Sequence, residues 1–594
     1  MGFWGLARNS QAATYYIDYV NGSDSNNGTS ISAPWKRAPG MAGPLVTVFG
    51  SWTQVSPNVW TTNAGIANPD ECYFNGVIGT KVLYGGSPDE VNGDKKWAGW
   101  FGTTMKVYSI GNPDTTYAPL GIQVRINSNY LPPGYSHSAG DKFVFKGGVT
   151  WDKWALPLRI QNSGIDGNPD IYVGGQKEST PWGTGFPVFD GEDADTGGIS
   201  VSSKNYITLN GLRVLNTGNP IYGSGSGISV SGSTGFTMKY CSLEPNAVNG
   251  FVYSGTGSKV YLHDNFIAKL GRINFPIEHD TLDDLRIYNN LFAGNNGYNP
   301  DPITATCTSA GVPAACCTGL GTGDGTCGFH TDGIMLGSDG PTNYGLTNVQ
   351  VYNNKWYGDW RNGGTGLLYF NGKGDGTTPS TQHVKIYNNL FAVENNTSAT
   401  GGVLFSPGMV VFYGGAYDDI EIYNNTFDNS AFHSSTTAPT CITLTTSTNV
   451  FVKNNIFSYC DNSIITSKTQ GGSGLIADYN LYFPETNNHF IWDANARYDS
   501  LVDLRAAGYE SHGIVNSDPK FVALPSGGAT GSGNWQLQSS SPAINAGADL
   551  SGIFNNDILG TSRPQGSVWD IGAYEYVPGG DTPPPAAPAG LVVR

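Results

Sequence analysis

Seven short segments of this chain follow one template: VYLHDNFI, LRIYNNLF, VQVYNNKW, VKIYNNLF, IEIYNNTF, VFVKNNIF and LIADYNLY. They align on Asn265, Asn290, Asn354, Asn389, Asn425, Asn455 and Asn480. Apolar residues stand five places before each anchor (Val260, Leu285, Val349, Val384, Ile420, Val450, Leu475) and three places before it (Leu262, Ile287, Val351, Ile386, Ile422, Val452, Ala477). Two places after it come Ile267, Phe292, Trp356, Phe391, Phe427, Phe457 and Tyr482. An apolar period of two that ends in Asn predicts a short strand with one buried face, followed by a tight turn. The anchors lie 25, 64, 35, 36, 30 and 25 residues apart. Those spacings are too long for hairpins and suit one coil per repeat of a stacked β-solenoid. FTMKYCSL extends the series upstream, with Cys241 at the anchor position.

Stacking gives the asparagines a role. Equivalent residues of neighbouring coils lie about 4.8 Å apart, so each Asn side chain can bond its own turn and the amides above and below. A chain of this kind resembles the right-handed parallel β-helix proteins of the pectate-lyase-like superfamily, whose coils often carry such asparagine ladders. The resemblance covers about residues 140 to 500. It implies an all-β fold, a right-handed parallel β-helix.

Composition agrees with that fold. Gly is 82 of 594 residues, aromatics are 12 % and charged residues only 13 %, which leaves little material for amphipathic helices. No stretch reaches the roughly 18 apolar residues of a membrane span. The net charge of −16 opposes general affinity for nucleic acid or anionic membranes; an acidic polysaccharide would need a local basic cleft.

Four of the eight cysteines, Cys307, Cys316, Cys317 and Cys327, fall in one Gly/Thr-rich loop. Two disulfides would staple it by removing chain entropy, and a metal site is the alternative. Cys441 and Cys460 are candidates for a third bridge, and Cys72 and Cys241 read as buried thiols. With the small residues before Thr14, which look like the tail of a secretory signal, this points to a secreted or cell-surface protein.

The chain divides into a leader remnant at 1–14, a β-helix opening at 15–44, a Trp-rich inserted β domain at 45–135, coils at 136–505, a closing region at 506–577 and a Pro/Ala/Gly-rich linker at 578–594. The opening and closing regions resemble the corresponding parts of secreted and surface-attached β-helix proteins. The inserted domain is read first as a cap over the open end of the helix and second as a carbohydrate contact.

The sharpest chemical signal is GFHTDGIML, residues 328–336, directly after the cysteine loop. His330 and Asp332, two apart on an extended segment, share a side and suit proton transfer or divalent-metal binding. ThrAspGlyIle resembles part of the AsnThrAspGly motif of polygalacturonases, in which the Asp is catalytic. That family's GlyHisGly and ArgIleLys motifs are missing downstream. One coil earlier stand Glu278, His279 and Asp280, which stacking is expected to bring within reach of His330 and Asp332. Two carboxyls about 5 Å apart would serve a retaining glycosidase and roughly 6.5–9.5 Å an inverting one; a lyase would use a base with Ca²⁺ or Arg. Arg361 and Lys373 are candidate substrate-binding cations. Tyr352, Tyr387 and Tyr423, with Tyr288, form an outward stripe by parity, read either as packing beneath loops or as a sugar platform. No metal ligand set is evident and no cofactor is fixed, Ca²⁺ being the candidate. The expected function is polysaccharide degradation by a glycoside hydrolase or polysaccharide lyase. The rival is a non-catalytic adhesin, phage-tail-like protein or structural fibre. The sequence leaves monomer, homotrimer and surface assembly open.

Overall fold

Between residues 140 and 483 the strands do not pair with their sequence neighbours. Each pairs with the strand three places on, and three sheets of twelve strands grow side by side. The first sheet runs from Thr14–Ile17 through Lys142–Phe145 to Ser473–Asp478. The second runs from Thr150–Trp151 to Ile514–Val515, and the third from Leu158–Arg159 to Ala496–Tyr498. All pairings in these sheets are parallel except the last of the third, His489–Asp493 with Ala496–Tyr498. A chain that visits three sheets in rotation is a parallel β-helix.

This computed structural model describes residues 11–48, the strands between 53 and 125, and residues 129–579 apart from 195, 218–225, 245–248, 269–274, 279–280, 295–332, 338–344, 359–365, 373–380, 394–407, 431–439, 467–472, 484–488, 494–495 and 525–532. Within strands, the backbone alone is described for 45–48, 53–125, 193–194, 275–276, 278, 473 and 493.

The template strands all lie in the first sheet, in the register that the alignment requires. Val260, Leu285, Val349, Val384, Ile420, Val450 and Leu475 are consecutive partners. The residues two places after the anchors belong to the second sheet. There Phe292, Trp356, Phe391, Phe427, Phe457 and Tyr482 stack down the interior with ring centroids 4.6–5.2 Å apart. All six are buried.

The anchors form one continuous ladder. From Asn265 to Asn455 each backbone N–H donates to the Oδ1 of the next anchor at 2.9–3.0 Å, and each Nδ2 donates to the same oxygen at 2.9–3.1 Å. The second Nδ2 hydrogen bonds a carbonyl of the preceding coil, as Asn389 does to Val351 at 2.8 Å. Cys241 is the top rung, its N–H donating to Asn265. Asn290 contacts Asn354 directly, so the 64-residue spacing is one coil carrying a long insertion.

The residue before each anchor explains the Asn-Asn doublet. Asn289, Asn353, Asn388, Asn424 and Asn454 have φ between 48° and 57°, the left-handed conformation that Asn tolerates best after Gly. One Asn makes the corner and the next fills the ladder.

Different devices close the two ends. At the N-terminal end Trp35 stacks on Tyr15 at 4.4 Å, and Gly28, at φ 71°, lies where a Cβ would meet the indole at 2.5 Å. The strands that follow pair mostly antiparallel, Leu45–Val48 with Ile122–Arg125 and Lys95–Phe101 with Thr104–Ile110, apart from the three parallel sheets. At the other end the helix Leu501–Ala506, capped by Ser500, pushes Leu504 into the core. Glu510 then ends the ladder. Its carboxylate accepts from the Asn480 N–H at 3.1 Å, the Asn480 Nδ2 at 2.7 Å and the Tyr482 hydroxyl at 2.6 Å.

Desolvation pushes the Glu510 carboxyl up from 4.5 to about 7, against the hydrogen bonds that favour its charge. A carboxyl with a raised folded pKa contributes stability that is fully present below about pH 4.5 and is lost as pH rises through about 7. The penalty is of order 3 kcal/mol. Glu510→Gln removes the titration. The melting temperature of the wild type relative to this variant is therefore expected to fall between pH 5 and pH 8, as read by circular dichroism; a constant difference would show that Glu510 is ionised throughout.

Candidate functional site

One corner of each template coil is constant and the other two vary. Between the first and second sheets only two residues intervene, as between Gly345–Tyr352 and Lys355–Tyr357 or between Thr381–Tyr387 and Leu390–Ala392. From the second sheet to the third the connections span 294–333, 358–367, 393–409 and 429–441. From the third sheet to the first they span 338–344 and 372–380. The long connections all border the third sheet.

The ionisable residues singled out in the sequence follow the same sheet. Glu278 ends the third-sheet strand Phe275–Glu278, with His279 and Asp280 next in sequence. Asp332 and His330 precede the third-sheet strand Ile334–Gly337 of the next coil. Arg361 lies in sequence ahead of Leu368–Asn371, the coil after that, and Lys373 just behind it. Except for the Glu278 backbone, all of these lie outside the described residues.

Register nevertheless orders them. Phe275 pairs with Ile334 and Ile277 with Leu336, so Glu278 and Gly333 lie at opposite ends of paired strands, four residues or roughly 13 Å apart along the strand. The Glu278 backbone ends its strand at one edge of the third sheet, and Gly333 precedes its strand at the other. Between these edges the outward column runs Met335, Tyr369, Val411, Thr443, Ile465 and Trp492, with Tyr413 half-exposed beside Tyr369. The floor is mostly apolar and aromatic, and Tyr369, Val411 and Thr443 on it are buried.

Parity does point the tyrosine stripe outward, but on the first sheet, away from this floor. His263, Tyr288, Tyr352 and Tyr387 stack with centroids 4.6–4.8 Å apart and planes within 5°. Rings stacked in this way spend their faces on each other and offer only edges. A sugar needs a free face. At the lower end Phe554 covers Tyr387 at 4.6 Å, and Tyr423 is also buried. The stripe thus matches the packing alternative, with the C-terminal segment as its cover. Burial pushes the Tyr352 hydroxyl up to about 12.

That cover is a structural feature that the sequence reading missed. The Asn424 side chain donates to the carbonyls of Asp570 and Gly572, and Asn454 exchanges two bonds with Ala548. Trp535 donates to the buried Asp428 at 2.7 Å, and buried Arg563 pairs with Glu575 at 3.1 Å. Lys355 lies beneath the segment, 5.8 Å from the Tyr574 ring, its amine held below the ordinary value by desolvation. The upstream cluster of Asp141, Asp170, His137 and Tyr135 holds turns together: Asp141 accepts from Ala13 and Ser138 amides, and Asp170 from Gly140 and His137. Among the described residues no group of three or more His, Cys, Asp or Glu is arranged to hold a metal.

The bridge between Cys441 and Cys460 is present, and Cys241 is a buried free thiol. The four cysteines between 307 and 327 lie outside the described residues, as does the side chain of Cys72. No helix among the described residues is long and apolar enough to cross a membrane.

No protein-family model and no curated protein matches this chain. Solved structures with a similar course include an alginate lyase from Paenibacillus sp. str. FPU-7, at 13 % identity and TM-score 0.35, covering 64 % of this chain and 94 % of that one. A GH136 lacto-N-biosidase from Eubacterium ramulus gives 8 % identity and TM-score 0.38 over 85 % of this chain and 68 % of that one. A surface adhesin of Streptococcus pneumoniae gives 12 % and 0.34 over 59 % and 80 %.

Replacing Tyr352 by Ala should remove the middle ring of the exposed stack and cost about 1–3 kcal/mol in chemical denaturation. Binding of polysaccharide, measured by affinity electrophoresis, should be unchanged. Lost binding with stability intact would restore the stripe as a sugar platform.

Proposed function

We propose that this protein is an extracellular polysaccharide-degrading enzyme, a glycoside hydrolase or polysaccharide lyase, whose groove runs along the outer face of the third sheet. The observation that carries the reading is that the long connections of the template coils border that sheet, and that Glu278, His279, Asp280, His330, Asp332, Arg361 and Lys373 lie in sequence beside its strands, in a chain poor in charge. Insertions on one face of a solenoid commonly build its binding face.

The register shapes the chemistry. Groups on opposite edges of the sheet would act across a bound sugar, which suits the wider carboxyl spacing of inversion better than the roughly 5 Å of retention. In that arrangement Asp332 or Glu278 protonates the leaving oxygen and the other activates water. Elimination is the other route. There His330, oriented by Asp332, takes the proton α to the uronate carboxylate, which Arg361 or Lys373 neutralises, and returns it to the glycosidic oxygen as that C–O bond breaks. Ca²⁺ could take over that neutralising role.

A polysaccharide panel followed by both reducing ends and the absorbance of unsaturated uronates separates the two routes. Asp332→Asn keeps shape and deletes charge. Turnover is expected to drop about 100-fold or more, with melting unchanged. Full activity in the variant would place the chemistry elsewhere, and a wild type inert on the whole panel would favour the adhesin or fibre reading.

A further inference from the structure

The lower end of the third sheet carries a cation whose surroundings hold it ready for a ligand. Trp492 and Arg497 face each other across the hairpin formed by His489–Asp493 and Ala496–Tyr498. The guanidinium lies over the indole, its Cζ 4.1 Å from the ring centroid. Arg497 Nη1 donates to His489 Nε2 at 3.2 Å. His489 Nδ1 donates to the Asp499 carboxylate at 2.5 Å, in the tautomer that leaves Nε2 as acceptor for Arg497. Asp499, His489 and Arg497 form a chain that orients one planar cation.

Among the described residues no carboxylate lies within ion-pair distance of Arg497, which is exposed, although Asp499 and Asp461 stand nearby. Asp499 is taken by His489, and Asp461 accepts from the Asn462 amide at 3.0 Å. A guanidinium stacked on one face and tethered by one nitrogen still presents N–H donors for bidentate capture of a carboxylate. Trp492 continues the outward column of Tyr369, Val411, Thr443 and Ile465, four rungs or roughly 19 Å below Tyr369. The pair therefore lies on the floor of the proposed groove.

We infer that Trp492 and Arg497, oriented by His489 and Asp499, form a distal subsite for the carboxylate of a uronate residue, so that the polysaccharide taken by this groove is an acidic one. The inference rests on the third-sheet reading above and narrows its substrate class. In a protein of net charge −16, one oriented arginine on the binding face supplies a local attraction that the surface as a whole lacks.

Calorimetric titration of the full chain with tetragalacturonate and tetramannuronate, with cellotetraose and chitotetraose as neutral controls, tests it. Arg497→Met keeps an aliphatic stem over Trp492 and deletes the charge; Arg497→Lys keeps the charge and deletes the planar fork. The Kd for at least one acidic tetramer is expected to rise about tenfold in the Met variant and less in the Lys variant, with melting unchanged and neutral controls unaffected. Equal affinity for neutral and acidic tetramers, no effect of Arg497→Met, or no binding of either acidic probe would overturn it. Turnover of a neutral polysaccharide alone would leave the enzyme reading standing and sink this one. Arg497-dependent binding of an acidic tetramer without turnover would do the reverse.

Discussion

The buried asparagine column is the interaction on which the rest of this molecule depends. Each anchor satisfies three polar partners inside a corner that water cannot reach, and each does so only if the next coil stands in register beneath it. A corner under that constraint cannot accept an insertion. In the coils that carry the column, variation in length therefore falls at the two borders of the third sheet. The location of the proposed groove thus follows from where the chain is not free to change.

The same stacking geometry governs the apolar side. Like residues placed 4.8 Å apart pair face to face, inside as the column of Phe and Trp and outside as the His263 to Tyr387 stack. Inside, this fills the core. Outside, it consumes the faces that a sugar would need, which separates the tyrosine stripe from recognition. The stack and the ladder both need an ending, and the chain supplies each from beyond the coils: Phe554 for one, Glu510 for the other.

Features with a period were legible in the sequence. The strand faces, the Asn column, the identity of the 64-residue spacing as one coil and the Cys441–Cys460 bridge follow from spacing or proximity, and the structure has all of them. What lacked a period was hidden. Asn289 and Asn424 read identically in the template, yet one is exposed and the other is buried because residues 570 and 572 reach across to it. Glu510 and the Trp492–Arg497 pair occur once each. The candidate site was legible as a set of coils but not as a geometry, because sequence gives the order of Glu278 and Asp332 and only register says which end of a strand each adjoins.

The ladder itself is open to direct measurement through Asn389, the central rung. Replacing it by Ala leaves the Asn354 N–H and Nδ2 and the Val351 carbonyl without their partner in a buried corner. Equilibrium denaturation should then show a loss of about 1–3 kcal/mol, and amide exchange should accelerate in the strands Gly345–Tyr352 and Tyr417–Tyr423 on either side. An unchanged denaturation midpoint with unchanged exchange in both neighbouring coils would contradict the dependence of the fold on this column.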